Sequence, residues 1–301
     1  MDKRRHLLYM QRILRDIYLD PFLSEELKFK GGTAAMMFHG LPRFSTDLDF
    51  NLEHSSKQHE VFVRLSEIVR RYGNIDDAAD KNYGPIVVLD YGPGERKLKL
   101  EASNRLFDNH YDRIDFGSLS IPVLKNGDML SHKLCAMKER RAPRDVFDVW
   151  YFLSKGWPLN GNIIRERTGE SVSGFLSECK SSLEEVSPAS VMQEIGELLD
   201  ERQKQFVRSR LLADVNDFLS EYIANPIMQN EKPTLHTSLL FEKEGLLPLL
   251  TENSIEPSTL SNEKLLDIIS GRNVAVKNKQ GSEISIEIVD GRTEISRSKG
   301  K

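Results

Sequence analysis

Cysteine is nearly absent: Cys135 and Cys179 are the only two in 301 residues. Two thiols make no disulfide framework and suit a reducing compartment. No apolar run approaches the roughly 18 residues that a membrane helix needs. A basic excess is missing too. The formal net charge is −4, which excludes a protein that coats nucleic acid with its whole surface, though not one with a local basic groove. The opening MDKRRHLLYMQRILRDIY is basic like a secretory leader. Arg12, Arg15 and Asp16 interrupt its apolar stretch, however, and no small-residue cleavage site follows. A cytoplasmic protein with no membrane partner is expected. What is present is an ordinary globular balance, 39% hydrophobic and 29% charged. A chain of this length buries roughly 75% of its unfolded surface, so it needs neither disulfide nor metal to fold.

Periodicity organises the chain. Leu7, Leu8, Ile13, Leu14 and Ile17 recur at helical spacing within residues 4–19. Residues 27–30 read as a short strand ending at Gly31-Gly32, residues 33–39 as a helix stopped by Gly40-Leu41-Pro42, and residues 46–52 as a half-buried strand. A helix is expected over 58–72. A hairpin follows, in which residues 85–91 and 96–102 flank Gly92-Pro93-Gly94. In the returning arm, Leu98 and Leu100 share one face while Lys97, Lys99 and Glu101 share the other. Residues 118–124 add a strand. From Asp128 the pattern turns helical, breaks at Pro143, and resumes over 144–153. Helices continue to about 225, and the end of the chain, NVAVKNKQGSEISIEIVDGRTEIS, alternates like two or three short strands. His236, Glu242 and Glu244 in the last region have no metal-ligand spacing.

Within FKGGTAAMMFHGLPRFSTDLDF, Asp47 and Asp49 are two residues apart. On a strand such positions face the same way, about 7 Å apart, with Leu48 and Phe50 buried behind them. Adjacent carboxylates repel, and one pKa rises. A hard divalent cation relieves this, and carboxylates with waters suit Mg²⁺. D-x-D pairs also decorate plain solvated strands. Here the pair follows Gly31-Gly32-Thr33 at a strand-to-helix junction, where backbone N–H groups and a helix start can receive a phosphate.

These residues carry a resemblance. G-G-T, thirteen residues, then D-L-D-F resembles the signature of the DNA polymerase β-like nucleotidyltransferase superfamily. The wider wording is similar to its AbiEii/AbiGii toxin branch, with Arg43, Ser45, Asp47 and Asp49 in matching places. HKLCAMKERRAPRDVFDVWYFL resembles that branch's later motifs through Lys133, Arg144, Asp145 and Asp148. The resemblance covers residues 25–155 well, the rest to about 225 loosely, and not the last 75. It implies an α+β architecture, with a nucleotidyltransferase domain with a small mixed sheet over 1–126 and a helical domain over 127–226 that completes the cleft; beyond Pro226 the composition turns rich in Ser, Asn and Glu, and an accessory region over 227–301 is expected. It also implies a nucleoside triphosphate substrate, with Mg²⁺ or Mn²⁺ on Asp47 and Asp49. Gly31, Gly32, Thr33, Ser45 and Lys133 would meet the phosphates, and Asp148 would orient Lys133 or the acceptor. Glu101 would be a third metal ligand or the base, departing from the aspartate usual there. An RNA acceptor, the tRNA 3′ end, would lie along Arg140, Arg141 and Arg144 beside Lys138, and a cognate antitoxin would neutralise the toxin. Against these stand plainer readings: Asp145 as a helix-start acid, Lys133 as a surface lysine, Ser45 as a turn residue, and the arginines as an ordinary helix end. A small-molecule nucleotidyltransferase acting on an aminoglycoside, a non-catalytic nucleotide-binding module and a metal-dependent nuclease remain alternatives.

Overall fold

Asp2 begins the first element. Its side chain accepts from the amides of Arg4 and Arg5, and α1 runs Lys3–Leu19. The computed structural model describes residues 1–140 and 142–225, and further along the strands at 274–277, 283–289 and 292–297. The buried stripe of α1 is His6, Met10, Ile13, Leu14 and Ile17, whereas Leu8, expected inside, is exposed. Ile13, Leu14 and Ile17 are buried as expected, and a histidine joins them for reasons given below. Asp20 then caps a short α2, Pro21–Glu26, whose proline occupies the first turn.

Seven strands form one mixed sheet in the order β3-β4-β5-β2-β1-β7-β6. β1 (Leu27–Lys30) pairs antiparallel with β2 (Leu48–Leu52) and parallel with β7 (Leu119–Leu124). β2 pairs parallel with β5 (Leu98–Ser103), and β5 antiparallel with β4 (Gly84–Asp90). The sheet is wider than expected because β3 (Asn74–Lys81) and β6 (Tyr111–Phe116) close its two edges. Both are largely exposed and polar, so neither shows the alternation that marks a half-buried strand. Between β1 and β2 lies α3 (Gly31–Phe38), and α4 (Gln58–Arg70) covers the β3–β4 arm.

Helices follow the last strand: α5 (Asn126–Arg140), α6 (Pro143–Ser154), α7 (Gly161–Thr168), α8 (Val172–Ser182), α9 (Pro188–Ile195), α10 (Glu201–Ser209) and α11 (Leu211–Ala224). Pro143 opens α6 rather than merely ending α5. Reciprocal side-chain bonds start α9 (Ser187 with Ser190) and α10 (Asp200 with Gln203). The helices hold the loop before β2. Phe44 donates its amide to Leu198 O at 3.2 Å, and Tyr151 Oη donates to His39 O at 2.7 Å. Residues 1–230 form one compact unit, within which strands give way to helices near residue 126, and residues 231–301 form another. In the second unit, β8 (Val274–Lys277), β9 (Glu283–Val289) and β10 (Arg292–Arg297) make an antiparallel meander. The expected strand alternation there is met by three strands. His236, Glu242, Glu244 and Arg141 lie outside the described residues.

Candidate active site

Strand register assembles a charged row. Lys30 stands opposite Asp49, and Asp49 opposite Glu101, so β1, β2 and β5 each place one ionisable side chain on the same face. Leu48 and Phe50 are fully buried on the other. Asp47 sits one residue before β2 begins and shares the cleft with Asp49. Burial pushes the Asp49 carboxyl above its ordinary range; Lys99 and Lys30 oppose this, and the negative charges of Asp47 and Glu101 add to it. Burial would raise Glu101 as well, but Lys99, with Nζ 2.7 Å away, and Lys30 hold it below its usual value. Burial brings Lys30 down to about 8 despite Asp49 and Glu101, and its Nζ donates to Asn51 Oδ1 at 2.6 Å.

Two contacts fix the backbone at Thr46 and Asp47. Thr33 Oγ1 donates to Asp47 O, so this hydroxyl, expected at the phosphates, secures the aspartate instead. His6 Nε2 lies 2.9 Å from Thr46 O and its Nδ1 is close to Tyr91 Oη. Burial lowers the His6 pKa, which favours the neutral ring. A carbonyl only accepts, so Nε2 carries the proton and Tyr91 donates to Nδ1.

Gly31 begins α3 at φ +80°, and a Cβ there would lie 2.6 Å from Asp49 Oδ2. At Gly32 a Cβ would lie 2.9 Å from both Arg43 Nη2 and Ser45 Oγ. The chain therefore passes against the carboxylate as only glycine permits, and no side chain caps the helix start, leaving its first N–H groups for an anion. Gly31→Ala is expected to cost about 1–2 kcal/mol from its left-handed backbone. It should lower kcat/KM for nucleotide by far more than that penalty alone, since Asp49 must move. Steady-state kinetics beside urea unfolding separate the two losses.

The opposite wall is an ionic network. Asp148 on α6 is fully buried and accepts from Arg43 Nε and Nη2 at 2.5 and 2.6 Å, while Lys133 Nζ on α5 stands 2.8 Å from it. Burial alone would raise the Asp148 pKa. Arg43 and Lys133 outweigh it and hold the carboxyl at about 2. Lys133 also lies 3.0 Å from Asp145, which reaches Arg140 at 3.1 Å. Lys138, grouped with the arginines from sequence, points elsewhere, pairing with Glu170 and Glu178 at 2.6 Å each.

Between these walls lies a cleft of about 520 Å³. It collects Gly31, Gly32, Ser45, Asp47, Asp49, Glu101, Lys133, Arg140 and Arg144, but not Thr33, Asp148 or Lys138. Ten lysines and arginines line it against six aspartates and glutamates. A chain with net charge −4 thus keeps a cationic groove. Lys30 carries a sequence signal as well: LKFK alternates, setting Lys30 apart from the buried Leu27 and Phe29, and the pairing of β1 with β2 brings it to Asp49. Lys99 carries one too, since it alternates onto the face of Glu101, whereas His6 has none, because its partners Thr46 and Tyr91 lie far away in sequence.

Among the described residues no group of three or more His, Cys, Asp or Glu side chains can hold a metal. Mg²⁺ does not require such a cage. It commonly takes one or two carboxylates together with waters and substrate phosphates. Asp47 and Asp49, which repel each other, fit an ion that arrives with a nucleotide.

Polyphosphate chemistry needs cations to hold the chain and carboxylates to hold its counter-ion, and this cleft sets both beside an open helix start; the protein is a nucleotidyltransferase. It belongs to the AbiEii family, described as the nucleotidyl transferase AbiEii toxin of a Type IV toxin–antitoxin system, whose sequence model matches residues 12–223. Among solved structures, the chain is similar to JHP933 from Helicobacter pylori at 19% identity and a TM-score of 0.49, covering 82% of this chain and 97% of that one. A putative nucleotidyltransferase from H. pylori has 19% identity and a TM-score of 0.44, over 71% and 96% of the chains. MenT4, a nucleotidyltransferase toxin from Mycobacterium tuberculosis H37Rv, has 16% identity and a TM-score of 0.41, over 82% and 97%. No curated protein matches. Among the described residues no helix is long and apolar enough to cross a membrane.

Proposed function

We propose that the protein is a cytoplasmic toxin that transfers a nucleoside monophosphate from a triphosphate to the 3′ end of an RNA, with tRNA as the acceptor, and that a cognate antitoxin restrains it. The observation that carries this reading is the contact of Asp49 with the Gly31 corner inside a cationic cleft. The N–H groups at the start of α3 and Lys133 hold the β- and γ-phosphates. The acceptor hydroxyl oxygen bonds to the α-phosphorus as the bond to pyrophosphate breaks, and Glu101, ionised at neutral pH, receives the hydroxyl proton. Mg²⁺ or Mn²⁺ on Asp47 and Asp49 would supply charge neutralisation for the phosphates. Asp148 does not face the cleft and acts by fixing Lys133. Arg140 and Arg144, at the cleft rim, attract the RNA backbone.

Incubation with each labelled triphosphate and Mg²⁺, offering total tRNA or a panel of aminoglycosides, tests the reading. Label is expected in tRNA, and none after chelation. Label in the small molecules alone would reject the RNA acceptor. Because the ion is expected to come with the nucleotide, Mg²⁺ alone should scarcely move the thermal midpoint. Mg²⁺ with a non-transferable triphosphate analogue at a hundred times its Kd should add about 2.7 kcal/mol.

A further inference from the structure

At the far end of the carboxylate row, the two-residue turn between β3 and β4 presents Tyr83, 66% exposed. The Arg105 guanidinium lies over its ring, 4.3 Å from the centroid. Both residues line the cleft, together with Lys81. Among the described residues no carboxylate pairs with Arg105. This corner is built rigidly. Asn104 donates its amide to Tyr83 O at 3.1 Å, and its side chain donates to Asn82 O at 2.9 Å and Gln58 Oε1 at 2.6 Å. Gly84 has φ +119°, and a Cβ there would lie 1.8 Å from Ala102 O, so the turn and the end of β5 are locked together. An exposed tyrosine whose neighbours are immobilised presents a flat face without the entropy cost of ordering it.

Its position indicates what the face meets. β5 runs parallel to β2, with Glu101 beside Asp49. The Gly31 corner lies toward the start of β2, because β1 runs antiparallel and ends at Lys30. Tyr83 and Arg105 lie in the opposite direction, Arg105 four residues past Glu101, up to about 13 Å along an extended chain. In an in-line transfer the attacking hydroxyl enters opposite the leaving pyrophosphate. With pyrophosphate over Gly31-Gly32, the acceptor approaches from the side of Glu101. The charge of Arg105 reaches the row itself, since it contributes to lowering the Lys30 pKa.

We infer that Tyr83 and Arg105 form the acceptor subsite, a stacking platform for an unpaired base at the 3′ end of a single-stranded RNA tail, with Lys81 and Arg105 drawing its phosphates. This rests on the RNA reading above and gives it a location separate from Arg140 and Arg144. A tyrosine face accepts any base, so the platform selects for an unpaired end rather than for sequence. A blunt duplex cannot splay a base onto it.

The 301-residue protein and its Tyr83→Ala and Tyr83→Trp variants are compared in two assays. One is fluorescence anisotropy with a single-stranded oligoribonucleotide bearing a free 3′ hydroxyl, and the other is transfer kinetics with tRNA. Tyr83→Ala is expected to weaken oligoribonucleotide binding about tenfold or more, the loss of one base stack. It should raise KM for RNA in proportion while leaving KM for the triphosphate unchanged, and Tyr83→Trp should keep both. Unchanged RNA binding in Tyr83→Ala overturns the platform, as does a change confined to the triphosphate KM, which would place the nucleotide base there. Failure of the unaltered protein to bind the oligoribonucleotide overturns the platform and the RNA reading together. If binding depends on Tyr83 but no RNA becomes labelled, the platform stands and the transfer reading falls.

Discussion

Asp49→Asn should abolish nucleotide transfer while leaving the fold as stable as before, or more stable. Charge neutralisation by a metal is worth several kcal/mol at a phosphoryl transition state, so losing one of the two proposed ligands is expected to lower kcat/KM on the order of a thousandfold. Stability moves the other way for a physical reason. Burial and the nearby charge of Asp47 both disfavour the Asp49 carboxylate, so an uncharged side chain of the same shape removes a penalty. Urea unfolding in metal-free buffer measures one effect and labelled-nucleotide transfer the other. A variant that keeps its activity would remove Asp49 from the site. One that loses both activity and stability would make the carboxylate structural.

Asp148→Asn should do the reverse and destabilise the molecule strongly. Among the described residues Asp148 is the one carboxylate that Arg43 pairs with directly, and Arg43 is only 8% exposed. Neutralising Asp148 leaves a buried guanidinium without its counter-charge, which typically costs about 3–5 kcal/mol. The pH dependence has a definite sign. The folded pKa of about 2 lies below the unfolded value of roughly 3.9. The stabilisation is therefore complete above pH 4 and is lost as pH falls through about 2. The gap between the parent protein and Asp148→Asn, read from urea midpoints, should be constant near neutrality and narrow over that acid window by roughly 2.6 kcal/mol. The double replacement Arg43→Met, Asp148→Leu removes both charges and should recover part of the stability. It should not recover transfer, because Arg43 also backs Gly32 and Asp148 orients Lys133. A gap unchanged by acid would mean that packing, not charge, is what Asp148 provides.

Elements that are local in origin were readable from the amino acids. The D-x-D pair faces one way because strand geometry repeats every two residues. The hairpin of β4 and β5 and the helices α5 and α6 follow from apolar spacing with glycine or proline at their ends. The α+β class, the mixed sheet and the nucleotidyltransferase family follow from motifs within short spans. Strands β3 and β6 were not readable, since edge strands bury little and need no alternation. The stripe on α1 was readable at Ile13, Leu14 and Ile17 and missed at its start, because His6 is polar by type and buried by context, held by Thr46 and Tyr91.

By itself, then, the sequence determined the two aspartates and the glycine corner before them, all within twenty residues and governed by bond geometry that every chain shares. Only the tertiary structure decided that Glu101 comes beside Asp49, that Asp148 meets Arg43 across 105 residues, and that Tyr83 and Arg105 share one rim of the cleft. Those meetings depend on which strands pair and in what order. Burial and hydrogen bonding across the whole sheet select that outcome, and no short stretch contains it.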